Sequence, residues 1–138
     1  MCIDCVTFGG PPISKPAILR PTTKSSLFIS FVNEGDPVPL AQEDYMRSLV
    51  KAWTQPFTGG EWVVPPPFYL PSGDQVVLRG ETDETGELKK VFPLHVDPTA
   101  LEAVVFGDIV MHSMSIYVER IQMILKQQQS PENPFEDP

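Results

Sequence analysis

Two nearly unbroken apolar runs constrain this chain most: IDCVTF at 3–8 and SLFISFVN at 26–33. Both are short and rich in β-branched and aromatic residues, so they read as strands. A strand with one wet face alternates apolar and polar residues, and these runs do not. They predict strands covered on both faces, as in a parallel α/β sheet. Gly9-Gly10-Pro11-Pro12 stops the first run, and the second ends in FVNEGDPVP, with two acids and two prolines.

The rest of the chain fits that frame. Residues 13–24 hold two prolines, Pro16 and Pro21, and read as a loop. Residues 41–53, AQEDYMRSLVKAW, predict a helix with Tyr45 or Met46, Leu49, Val50 and Trp53 on its apolar side. Glu43 and Asp44 in the first turn and Lys51 near the end suit the helix dipole. Thr58-Gly59-Gly60 closes this unit. The texture then changes through Trp62-Val63-Val64 and Pro65-Pro66-Pro67. The pieces QVVLRG and LKKVFPL predict an antiparallel hairpin excursion of short strands around a polar turn, Asp83 to Gly86. Its proline-rich first part is kept out of a central sheet position. Asp97 and Pro98 open a short helix to about Phe106. A longer helix follows at 108–127, with Val110, Met114, Tyr117, Val118, Ile121 and Leu125 as one apolar stripe. Residues 1–127 therefore read as one α/β domain, and 128–138, QQSPENPFEDP, as a disordered polar tail.

Composition excludes some functions. The chain has 138 residues and a formal net charge of -8. Nucleic-acid binding usually needs a basic surface, so a phosphate backbone is not the expected partner. No run of about 18 apolar residues occurs, which leaves no transmembrane candidate. The start, MCIDCVTFGG, lacks the n-region and apolar core of a signal peptide, so the default expectation is cytoplasmic.

Few residues could carry chemistry. Cys2 and Cys5 form C-x-x-C inside a strand-like run, without the preceding strand of a redox motif, and read as buried small side chains. Nothing in the spacing suggests a metal or cofactor. Asp36 follows the second strand, with Pro37 and Pro39 stiffening its loop. Open α/β sheets place their sites beyond strand carboxyl ends. His112, one of two histidines, falls in the first turn of the last helix and off its apolar stripe. The positive helix end there favours a neutral imidazole base. His95 lies in a polar, loop-like setting. Asp36 could equally serve its turn, and His112 could be a half-buried surface residue. Together they fit the order of acid then histidine that follows the nucleophile in α/β-hydrolases. No serine of the chain sits in a G-x-S-x-G frame.

Four segments carry a family resemblance. VTFGGPP at 6–12 resembles the strand after the nucleophile helix in class 3, fungal-type lipases, and FVNEGDPVP resembles the segment holding their triad acid. YLPSGDQVVLRG and FGDIVMHSMSIYVERI resemble the later strand and the segment where a histidine followed by a tyrosine supplies the base. The resemblance implies a partial α/β-hydrolase fold: the C-terminal half, with few parallel strands, helices and the hairpin. It implies Asp36 as the orienting acid and His112 as the general base for carboxylic ester hydrolysis in lipid metabolism. The family's serine elbow, lid and oxyanion loop would lie upstream of Met1, so the chain alone is expected to be inactive. Its partners would be an ester substrate in a complete enzyme and a complementary hydrolase half or a second copy. The alternative is a non-catalytic remnant that acts as a protein-binding module.

Overall fold

The computed structural model describes residues 4–19, 26–55 and 65–129. The expectations for Cys2, Thr58-Gly59-Gly60, Trp62-Val63-Val64 and most of the tail lie outside them.

Four strands form one mixed sheet: β1 (Cys5–Phe8), β2 (Phe28–Asn33), β3 (Asp74–Thr82) and β4 (Leu88–Val96), in that spatial order. β1 and β2 run parallel, with Val6 opposite Ile29 and Phe8 opposite Phe31. β2 and β3 are also parallel, with Val32 opposite Val77. β3 and β4 are antiparallel, with Leu78 opposite Pro93. Pro93 has no N–H for a ladder, and β4 is an outer strand of this sheet.

Helix α1 (Glu43–Thr54) connects β2 to β3, the crossover that parallel neighbours require. Helix α2 (Met114–Gln129) follows β4 through two 3-10 turns, Pro98–Ala103 and Ile109–His112. Successive side chains of β3 go to opposite faces. Val77 joins Val32, Tyr45, Leu49, Leu101 and Phe106 in one apolar cluster. Val76 and Leu78 join Val91 and Tyr117 in the other, with Ile121 and Ile124 against them. α1 and α2 thus supply opposite layers over an α/β sheet, and the apolar character of β2 and β3 follows from this two-sided cover.

Several expectations change. β3 is not part of a separate excursion, because it pairs with β2 and lies inside the sheet. β1 is not a buried strand: Val6 is 47% exposed and Cys5 is exposed, and among the described residues β1 has a partner strand on one side only. On α1, Tyr45 and Leu49 are buried but Val50 and Trp53 are exposed. His95 is on β4, opposite Val76, and not in a loop. The long helix is broken at Ser113, whose extended backbone separates the turn Ile109–His112 from α2. Val110, Met114, Val118 and Leu125 are exposed, and Tyr117 and Arg120 are the buried residues of α2. α2 runs to Gln129, two residues beyond the expected boundary, and 130–138 lie outside the described residues.

Candidate functional site

Asp36 stands just past the carboxyl end of β2, at the end of a tight turn. Its N–H bonds to the Asn33 carbonyl at 3.0 Å, and Gly35 takes φ +100°, a conformation that favours glycine. Pro37 follows and fixes the chain direction. The side chain is 0% exposed. A carboxylate without water needs donors, and three are present. The Val38 N–H reaches Oδ1 at 2.9 Å, the Tyr117 hydroxyl donates to Oδ2 at 2.6 Å, and His112 Nδ1 lies 3.0 Å from Oδ2.

His112 is the last residue of the 3-10 turn Ile109–His112. Asp108 caps that turn through its side chain to the Val110 N–H at 3.0 Å. Two further bonds fasten it to the Asp36 loop. The Asp108 N–H donates to the Gly35 carbonyl at 3.0 Å, and Asn33 Nδ2 donates to the Met111 carbonyl at 2.8 Å. The two site residues are 76 positions apart in sequence and share one hydrogen bond. With Asp36 ionised, Nδ1 carries the proton and Nε2 keeps a lone pair. The His112 side chain is 42% exposed. The expected effect of a helix N-terminus on the imidazole does not apply as stated, because His112 precedes the break and is not in α2.

Tyr117 and Gly9 complete the site. Tyr117 comes from the first turns of α2, and its hydroxyl accepts the Asn33 N–H at 3.0 Å while donating to Asp36. Burial, reinforced by the bond to Asp36, pushes its ionisation well above that of an ordinary tyrosine, so it remains a donor. Gly9 follows β1 with φ +59°, its N–H held by the Phe31 carbonyl at 2.8 Å. A Cβ there would lie 2.5 Å from Asp36 Oδ2, 2.8 Å from His112 Nδ1 and 2.9 Å from the Tyr117 hydroxyl. Only glycine leaves room for these three groups to meet.

The sequence reading singled out Asp36 and His112 and missed the other two. By pattern alone Tyr117 belongs to an apolar stripe and Gly9 to a strand stop. The available signal for Tyr117 was Arg120 one helical turn later, a polar pair on one face. Among the described residues, no group of three or more His, Cys, Asp or Glu side chains could hold a metal ion. No helix described is long and apolar enough to cross a membrane.

The geometry is that of a buried carboxylate hydrogen-bonded to one nitrogen of a half-exposed imidazole. It lies in the loops beyond the carboxyl ends of two adjacent parallel strands. No family model matches the chain, and neither does any curated protein or solved structure.

Proposed function

We propose that Asp36 and His112 are the orienting acid and general base of a carboxylic ester hydrolase of the class 3, fungal-type lipase kind. The sheet would then be the C-terminal part of an α/β-hydrolase fold, acting in lipid metabolism. The serine nucleophile would come from outside the described residues. One observation carries this reading: the 3.0 Å contact between a fully buried Asp36 and a half-exposed His112.

The chemistry follows from that contact. His112 Nε2 takes the proton from the serine Oγ as it attacks the ester carbonyl carbon. The imidazolium then gives the proton to the departing alkoxide, leaving an acyl-serine. Water, deprotonated by the same nitrogen, releases the acid. Asp36 stays ionised and stabilises the imidazolium.

A fluorophosphonate reagent labels a serine activated by such a base. The native polypeptide carrying this sequence should be labelled, and its His112→Ala and Asp36→Ala forms should not be. Turnover of nitrophenyl butyrate should fall by about three orders of magnitude or more in both. Undiminished turnover in either overturns the assignment. The 138-residue chain alone should show little or no turnover, because none of its serines sits in a G-x-S-x-G frame.

A second reading rests on β1. Among the described residues it has a partner strand on one side only, and it carries an exposed Val6. Such an edge accepts an added strand, from a complementary hydrolase half or a second copy, so the chain would act as a non-catalytic protein-binding module. A stable complex formed without fluorophosphonate labelling favours this reading.

A further inference from the structure

Asn33 is the last residue of β2 and is 0% exposed. It shares the sheet face of Phe31, two positions earlier, which packs against the apolar cluster of Leu78 and Tyr117. A side-chain amide in such a place costs stability unless both its ends are bonded. Asn33 bonds only one. Nδ2 donates to the Met111 carbonyl at 2.8 Å, while Oδ1 is buried and has no partner among the described residues. A leucine of similar size would pack here without that cost, so the bond made by Nδ2 is what the amide contributes.

That bond acts on the imidazole through the backbone. The Met111 carbonyl belongs to the planar peptide unit that ends at the His112 Cα, so its direction sets how the His112 side chain leaves the chain. Asp36 holds the same residue by its ring. Asn33 and Asp36 are themselves tied, the Asp36 N–H to the Asn33 carbonyl at 3.0 Å. His112 is therefore gripped at backbone and ring by two residues of one hydrogen-bonded turn. The Tyr117 hydroxyl bonds to both of them, at the Asn33 N–H and at Asp36 Oδ2. The turn Ile109–His112 also has other fastenings: the Asp108 N–H on the Gly35 carbonyl at 3.0 Å, and Arg120 Nη2 at 3.5 Å from Met111 Sδ. Loss of the Asn33 amide would leave that turn docked and its last peptide free to rotate.

We propose that Asn33 is a positioning residue, whose amide orients the Met111–His112 peptide so that Nδ1 meets Asp36. Its weight in catalysis rests on the hydrolytic reading; its hold on the imidazole does not.

Long-range proton–nitrogen NMR spectra of the full chain test it. At about pH 8, above the usual range of imidazole ionisation, they read which ring nitrogen carries the proton. His112 should show the proton on Nδ1, and His95, exposed on β4, is the internal reference. Asn33→Leu should move the His112 signals most of the way towards those of His95. Asn33→Ser, too short to reach Met111, should do the same and decides the matter if the leucine form does not fold. Val77→Ala lowers stability by opening the buried cluster on the other face, yet should leave the His112 signals in place. Unmoved signals in the Asn33 variants overturn the proposal, as does an equal shift in Val77→Ala. In the native polypeptide carrying this sequence, Asn33→Leu should lower kcat for nitrophenyl butyrate about tenfold at unchanged KM. The NMR shift in a polypeptide without turnover would sink the hydrolytic reading and leave the positioning role standing.

Discussion

Tyr117 links the backbone of β2 to the carboxylate of Asp36 through a single hydroxyl. Tyr117→Phe deletes an acceptor and a donor at once, stranding the Asn33 N–H in a buried place. The expected loss is about 1–3 kcal/mol of stability, read from urea unfolding. The hydroxyl also makes stability depend on alkaline pH. Its ionisation is raised in the folded protein, so above pH about 10 the unfolded chain releases a proton that the folded chain keeps. Stability is therefore full below that pH and falls as pH rises, by about 1.4 kcal/mol per unit for each such tyrosine. Tyr45 is raised by burial in the same direction. Tyr117→Phe should lower the slope above pH 10 without abolishing it. An unchanged slope would remove Tyr117 from this role.

Arg120 shows what the elements demand of one another. It is 7% exposed, and Nη1 donates to the Leu78 carbonyl at 2.6 Å, tying α2 to β3. Its Nε finds no partner among the described residues, and burial lowers its pKa. The Leu78 carbonyl also receives the Glu34 N–H at 3.0 Å, so it stays satisfied without the arginine. Arg120→Met should accordingly change stability by less than about 1 kcal/mol, or raise it, as replacement of a poorly compensated buried cation often does. A loss of several kcal/mol in urea unfolding would contradict this.

The elements were only partly legible in sequence. The helix after β2, the β3–β4 pairing and the Asp97–Pro98 start came from local pattern, because caps and turn residues act over a few positions. The break at Ser113 had no such signal, lacking both proline and glycine, and only tertiary contacts reveal it. Within α2, Tyr117 and Ile121 of the expected stripe do face the core, and Met114, Val118 and Leu125 do not. Asp36 and His112 were legible because each lies beside a chain stop or a helix start. Gly9 was not, since its role depends on groups 27 and 103 positions away (36 − 9 and 112 − 9).

For the whole molecule, the open edge of β1 matters most: among the described residues β1 has a partner strand on one side only. An edge strand with exposed apolar side chains is a template for further pairing. Val6→Lys places a charge on that strand, and weight-average mass in sedimentation should then fall towards the monomer at high concentration. A mass that the substitution leaves unchanged would show that association, if any, uses another surface.

The hydrogen bond between His112 and Asp36 closes a loop of 76 residues. A contact that spans so much chain raises the mean sequence separation of the fold's contacts, which slows folding. The chain has only two histidines, and His95 on β4 pairs with no acid among the described residues. The Nδ1 proton of His112 is thus a single-atom clock. Followed by proton NMR during refolding, it would report when the two ends of that loop meet.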